Sequence, residues 1–382
     1  MPVSKAVSIA DLRLMAKDRV PRVIFEMLDS ASEDDLVLER SVERLRAHVL
    51  VPRVLRGVAT RDQSATLFGR TYASCFGVAP MGTIGMVRKD VELLLAEAAN
   101  LADVPMILSG ASAHALETVA SKAPGSIWSQ LYAAQDPKIT EDLVQRAAAA
   151  GAGALVWTVD LPVYPKNDRS IRNGVGVPPK LSLASKLEAL THPTWMREYL
   201  SGQMWQMGHW ERYAPAGSLA NDVSKFYLSQ KNSSQTWRDL EMMRHLWAGP
   251  LVVKGILHRD DAIQAAELGA DGIIVSNHGG YGLDRAPASI DMLPDIVDAV
   301  GAKLVVMFDG GVRRGSDIVT ARCLGAQFVF VGRAALFGAA AGGFAGASRA
   351  IAILRDEVDR TMGLIGCSAS TDFRPDLVRR PQ

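Results

Sequence analysis

Short apolar runs recur along the chain, apolar on consecutive positions rather than alternate ones. They are FGVAP at 76–80, VPMIL at 104–108, SIWSQL at 126–131, ALVWTVD at 154–160, PLVVK at 250–254, GIIVS at 272–276, KLVVMFD at 303–309 and QFVFVG at 327–332. Between most of them lie Ala- and Leu-rich stretches at helical period, such as VELLLAEAANLA, ITEDLVQRAAAAGA and RDDAIQAAELGA. Strands apolar on both faces, alternating with helices, predict a parallel sheet of the α/β class. Eight such units are the number that closes a (β/α)8 TIM barrel. A doubly wound open sheet is the competing arrangement, but no GxGxxG follows an early strand, which weakens its dinucleotide-binding form.

Two regions break the rhythm. The first 70 residues (1–70) read as an N-terminal extension on a single barrel domain spanning 1–382: Asp11 to Leu28 can be helical, and PRVLRGVATRD is a loop or short strand leading in. Residues 174–236 form a long insert that separates the fourth and fifth strands by far more than a usual loop. The insert is rich in large side chains: Trp195, Met196, Tyr199, Met204, Trp205, Met207, Trp210 and Tyr213.

Composition narrows the class. With 382 residues and 48% hydrophobic content, the chain can bury a sizeable core. Lys+Arg 42 against Asp+Glu 41 gives a formal net charge of +1, so no nucleic-acid partner is expected. Cys75, Cys323 and Cys367 are far apart and show no CxxC spacing. They are expected to be free thiols in a reducing compartment, with no metal site. The N-terminus lacks an apolar core of signal-peptide length and no apolar run reaches transmembrane length. A cytoplasmic location is the expectation.

In a barrel of this type, chemistry collects where the strands end. The residues there are Pro80-Met81-Gly82, Ser109, Gln130 and Tyr132, Thr158 and Asp160, Lys254, Ser276 and His278, Asp309, and Gly332 with Arg333. Any one of them has a structural explanation; together they form a ring of functional groups. The strongest local signal is DGGVRRGSDIVTARCLGAQFVFVGR at 309–333. Its glycines permit close backbone approach, and Arg313 and Arg333 flank the last two strand ends, where such barrels often bind phosphate.

At this point the motifs SNHGGYGLD, VVKG, QLY, TVD and DGGVRRGSD together resemble the FMN-dependent 2-hydroxy acid oxidase/dehydrogenase family, whose members include glycolate oxidase and lactate and mandelate dehydrogenases. The resemblance runs from PRVIFEMLDSASED to TMGLIGC. It implies FMN at the C-terminal mouth and commonly a homotetramer. It also implies that Lys254 stabilises negative charge on the reduced ring, while Ser109, Gln130, Thr158 and Ser276 bond the ring edge. The backbone of Ala79, Pro80, Met81 and Gly82 packs near the reactive nitrogen, and Asp309, Gly311, Arg313, Gly332 and Arg333 hold the ribityl phosphate. His278 is the implied general base, Asp160 stabilises its imidazolium, and Tyr132 bonds the substrate oxygen. Glycine at Gly82, where oxidases of the family tend to carry alanine, leans toward a dehydrogenase. The electron acceptor stays open among oxygen, a quinone and a redox partner.

Three positions depart from the family pattern. Tyr281 stands where members that oxidise simple hydroxy acids carry a carboxylate-binding arginine, Asn167 where a second arginine is expected, and Met27 where a tyrosine is expected. Tyrosine cannot make the bidentate pairing of arginine, and loss of one buried charge partner costs roughly 3–5 kcal/mol. The expected substrate is therefore a larger small molecule with its carbonyl neighbour masked as an amide, ester or lactam, such as a natural-product or peptide-derived intermediate. Flavin dehydrogenases of peptide-derived cofactor biosynthesis are similar here: they also replace this arginine and share the PASI segment, Pro287 to Ile290. Lys166 or Arg169 could still supply a cation, so a conventional (S)-2-hydroxy acid dehydrogenase or oxidase is the first alternative. A non-catalytic flavin-binding partner is the second. The insert has three readings: a lid, a membrane-surface segment over 181–228, or an oligomer contact.

Overall fold

The computed structural model describes residues 2–176, 179–201, 204 and 206–380. Eight parallel strands close on themselves: β1 (Phe76–Val78), β2 (Met106–Leu108), β3 (Ile127–Leu131), β4 (Leu155–Thr158), β5 (Leu251–Ile256), β6 (Gly272–Val275), β7 (Val305–Phe308) and β8 (Phe328–Val331), with β8 pairing back onto β1 through Val329–Phe76. The fold is the TIM barrel. Each expected strand is found, because runs apolar on both faces suit a sheet with side chains packed inside and helices packed outside. A helix follows each strand, from Val91–Leu101 after β1 to Arg333–Ile365 after β8. The latter is bent at Gly342 and Gly343, the second with φ near 60°. It is long and apolar enough to cross a membrane, yet most of its apolar stretch is buried, and it packs on the Ile9–Arg19 and Val91–Leu101 helices. Trp128, Phe328 and Phe330 fill the barrel, with Trp128 edge-on to Phe330 at 5.5 Å. All three cysteines are buried free thiols.

Ahead of the barrel, Ile9–Arg19 and Arg22–Asp29 are helices separated at Pro21. Proline at a helix entry lacks only an N–H that would be orphaned anyway. The segment after them crosses the C-terminal mouth. Ser32 N–H donates to Gly280 O at 3.0 Å and Glu33 N–H to Lys166 O at 2.8 Å. The amides of Asp34 and Val37, at the start of the Leu36–Ala47 helix, donate to the buried Asp284 carboxylate at 3.2 and 3.3 Å. The aspartate that ends SNHGGYGLD is thus a helix-terminus acceptor.

Within the insert, helices Leu183–Ala189, Pro193–Leu200 and Ala220–Ser229 wrap the barrel's flank. Trp195 and Trp210 are buried where the indole N–H finds a carbonyl: Trp195 donates to Met86 O at 3.0 Å and Trp210 to Gly110 O at 2.7 Å. Trp205 lies outside the described residues. A polar staple fixes the insert to the outer helices. Arg146 pairs with both oxygens of Glu117 at 2.7 and 2.8 Å and donates to His209 O and Tyr213 OH at 3.1 and 3.0 Å.

That staple makes the insert acid-sensitive. Burial, with the Arg146 charge adding to it, pulls the His209 imidazole down to about 3, and the Arg146 hydrogen bonds hold Glu117 at about 2. Both groups take up protons more readily once unfolded, so stability is full above the ordinary histidine value of ~6.5 and falls as pH drops toward 3. Thermal unfolding between pH ~7 and ~4 should show Tm falling with pH, and a His209→Asn variant should lose less of its Tm over the upper part of that range.

Candidate functional site

The C-terminal ends of the strands open into a cavity of about 370 Å³. Its wall includes Met27, Ala79, Pro80, Met81, Gly82, Ser109, Gln130, Tyr132, Thr158, Lys254, His278, Tyr281, Asp309, Gly311, Arg313, Gly332 and Arg333. Nearly every position singled out from sequence therefore meets in one hollow. Three do not face it. Ser276 is fully buried behind Lys254, its hydroxyl accepting from Lys254 Nζ at 2.9 Å and from His278 N–H at 3.0 Å. Asp160 stands behind His278. Asn167 is a correction: it is not a pocket residue. Its side chain caps the Asp168–Arg172 helix through Ser170 N–H at 2.8 Å and donates to Ser30 Oγ and Ala31 O at 2.9 and 2.7 Å. Asparagine suits that position because its oxygen accepts a terminal N–H while its amide nitrogen donates.

His278 sits at the tip of the loop after β6 with φ near 56°, a left-handed conformation uncommon outside glycine. Its Nδ1 is 2.9 Å from Asp160 Oδ1 and its Nε2 is 3.2 Å from Tyr132 OH. Burial alone would push the Asp160 carboxyl up, but the charges of His278 and Lys254 and the hydrogen bond from His278 outweigh it and hold the carboxyl below its usual value. An ionised carboxylate only accepts, so Nδ1 carries a proton toward Asp160, and in the neutral form of the ring Nε2 is the acceptor facing the cavity. Burial, reinforced by Tyr227 and the Asp160 charge, raises the Tyr132 phenol well above its ordinary value. Tyr132 therefore stays protonated and can donate.

Gly255 places this pair. It has φ near 105° in a β-bulge where the β5–β6 register shifts between Lys254 and Ile256. A Cβ on it would stand 2.5 Å from the Asp160 side chain, so only glycine lets Asp160 lie where His278 needs it. The motif VVKG carried the clue: a glycine inside an apolar strand marks a bulge or a close approach.

Lys254 Nζ lies 3.1 Å from Asp309 Oδ2, both side chains almost wholly buried. The other oxygen of Asp309, the Gln130 amide nitrogen and the Thr158 hydroxyl have no hydrogen-bond partner, although buried. The Gln130 oxygen is already used by Gly110 N–H at 2.9 Å, which turns its nitrogen to the open side. Buried polar atoms without partners are rare and call for a ligand. Donors, an ammonium and an acceptor along one wall fit a flat ring with polar edges and a hydroxylated tail.

The far end of the cavity is cationic. Burial, with Arg333 adding repulsion, lowers Arg313 to about 10, and burial likewise lowers Arg333. An anion would relieve both. The terminal amides of the Arg333–Ile365 helix begin at Gly332, on the same side. Arg333 also ties the mouth together, donating to Leu28 O, Gly279 O and Ser30 O at 3.0, 2.6 and 2.6 Å. The residues fit FMN, with Arg313, Arg333 and the Gly311 and Gly332 loops available to its phosphate.

Sequence reasoning missed several wall residues. Leu161, Tyr164 and Pro165 follow β4, and Tyr227, Leu228 and Lys231 come from the insert. Neither Lys166 nor Arg169 reaches the cavity; each pairs elsewhere, Lys166 with Asp168 at 2.9 Å and Arg169 with Asp35. Among the described residues no cluster of three metal-ligating side chains occurs.

Comparison with known proteins agrees with this geometry. The model of the family described as FMN-dependent dehydrogenase matches residues 16–380. An L-lactate dehydrogenase of Xanthomonas campestris pv. campestris is 36% identical over 97% of this chain and 96% of its own. The solved monotopic membrane protein (S)-mandelate dehydrogenase superposes with a TM-score of 0.95 at 31% identity, covering 98% of this chain and all of its own. An arginine-to-leucine variant of mandelate oxidase with 2-hydroxy-phenylacetamide gives 0.81 at 34% identity, with 98% of each chain covered. The chain belongs to the FMN-dependent dehydrogenase family, among enzymes that oxidise 2-hydroxy acids.

Proposed function

We propose that the protein oxidises the hydroxyl-bearing carbon next to a carbonyl in a 2-hydroxy acid or a close derivative, with His278 as general base. The observation that carries this reading is the Asp160–His278–Tyr132 array at the cavity wall, beside Lys254. Bound FMN supplies the two-electron acceptor. His278 Nε2 takes the substrate proton, from the hydroxyl or the α-carbon, and Asp160 stabilises the imidazolium that results. Tyr132 donates to the substrate oxygen. Lys254 places positive charge where negative charge develops. An oxygen molecule, a quinone or a redox protein must then take the electrons away.

A second reading of the substrate, with its carboxylate masked as amide or ester, is favoured by Tyr281 and Met27 in the wall. Burial raises the Tyr281 phenol, so this side chain brings no charge. The 2-hydroxy-phenylacetamide held by the arginine-to-leucine variant of mandelate oxidase is of the same chemical kind.

We also propose that the insert meets a membrane surface. Leu183, Leu187 and Leu190 stand 74%, 57% and 62% exposed at i, i+4 and i+7 spacing, and Leu200 is 75% exposed beyond them. An apolar stripe of this kind, flanked by Lys186 and Arg197, suits a helix lying in the interface. The alignment with a monotopic membrane protein is in keeping with it.

Replacing His278 by Gln should lower kcat for 2-hydroxy acid oxidation by ~10²–10⁴-fold, while the protein stays yellow with bound flavin. Gly255→Ala should displace Asp160 and lower kcat by ~10²-fold with flavin retained; steady-state kinetics beside the absorbance spectrum checks both. A Leu183→Glu/Leu187→Glu double variant should lose flotation with phosphatidylcholine–phosphatidylglycerol vesicles while turnover with a soluble dye acceptor persists.

A further inference from the structure

The substrate end of the cavity holds a cation that the family resemblance does not assign. Lys231 lies in the cavity wall, just after the Ala220–Ser229 helix of the insert. Its Nζ stands 5.0 Å from the centroid of the Tyr132 ring and 5.2 Å from that of Tyr164. Tyr132 is the residue whose hydroxyl meets His278 Nε2, so the ammonium lies over the ring of a residue proposed to handle the substrate oxygen.

Its backbone is fixed there. Lys231 and Ala134 form an antiparallel bridge beyond the end of β3, Gln135 N–H donates to Gln230 O at 2.8 Å, and the Asn232 amide donates to Ala134 O at 3.3 Å. The lysine thus hangs from a tied loop, close to Tyr132 in space although far from it in sequence. Among the described residues Lys231 makes no salt bridge and no side-chain hydrogen bond.

The other cations of the cavity are engaged. Lys254 is held by Asp309 and Ser276. Arg333 is tied to three carbonyl groups. Arg313 donates to Val312 O at 2.8 Å and lies over the Phe337 ring at 6.0 Å. A half-buried ammonium over two aromatic rings, with no ion pair among the described residues, is poorly compensated: cation–π attraction replaces part of its lost hydration, and a bound anion would replace more. Burial accordingly pulls the Lys231 ammonium below its ordinary value, against the pull of the Asp160 charge.

We infer that Lys231 is the anchor for the substrate's carboxylate, taking over from the arginine that Tyr281 replaces. This rests on the oxidation reaction proposed above, and it chooses the free acid over the masked derivative. The specificity device has moved from the loop after β6 to the insert. Lysine offers a point charge rather than a planar fork, so the carboxylate is held from one side, with the Tyr164 and Tyr227 rings as apolar walls.

The test compares holoenzyme with K231M and K231R, using (S)-mandelate, (S)-lactate and their amides. The expected result is a wild type that prefers the acids, a K231M variant whose acid-to-amide ratio of kcat/KM falls by ~10²-fold, mainly through KM for the acids, and substantial recovery in K231R. An unchanged ratio in K231M, or a wild type that prefers the amides, overturns the inference. Equilibrium binding of benzoate, followed by perturbation of the flavin spectrum, gives a readout without turnover: its Kd should rise ~10²-fold in K231M. If neither acids nor amides reduce the flavin of the wild type, the proposed reaction fails, and the benzoate measurement still decides for or against Lys231 as an anion site.

Discussion

A single buried ammonium organises the centre of the barrel mouth. Lys254 has an Asp309 oxygen at 3.1 Å and the Ser276 hydroxyl at 2.9 Å, and its charge helps keep Asp160 ionised. Removing either partner of such a pair strands a charge in the interior, which costs roughly 3–5 kcal/mol. The next residue, Gly255, gives Asp160 its place, and Asp160 orients His278. One bulged strand therefore sets the charge for the cofactor edge and the geometry of the base. Burying a pair is weak support for stability; its sense here is chemical, since a fixed charge needs no reorganisation when electrons move.

The cavity wall carries groups of different charge and polarity. Arg313 and Arg333 make part of the wall fit for a phosphate, Gln130, Thr158 and Asp309 leave polar atoms open on it, and His278 and Tyr132 meet at a further part. The barrel strands supply the middle, where positions must be rigid. The outer parts of the wall come from loops: the last two strand ends, the N-terminal segment and the insert. This is the usual division between a fold that holds chemistry and loops that choose what enters.

The barrel was fully legible in sequence because runs apolar on every position, repeated eight times between helical stretches, suit strands covered on both sides. Most of the cavity was legible too, since strand-end residues in a closed barrel must converge. What failed was inference by position alone. Asn167 occupies the place where the family pattern expects an arginine, yet its side chain turns to the helix terminus it can satisfy. Lys231 left no mark, because a lysine so far along the chain from Tyr132 becomes its neighbour only after the insert has folded onto the loop following β3. Lys166 and Arg169 looked available in sequence and each found a carboxylate first.

The tie between Arg333 and Leu28 joins residues 305 positions apart. The segment that crosses the mouth leaves the ribosome well before its partners at Gly279, Asp284 and Arg333. Contacts of such long separation form late, because loop-closure entropy must be met before they can contribute. The mouth of the pocket is consequently completed only once Arg333 has been made and folded. A chain that stops before Arg333 would keep its mouth unfinished, so this part of the molecule closes in one step rather than by increments.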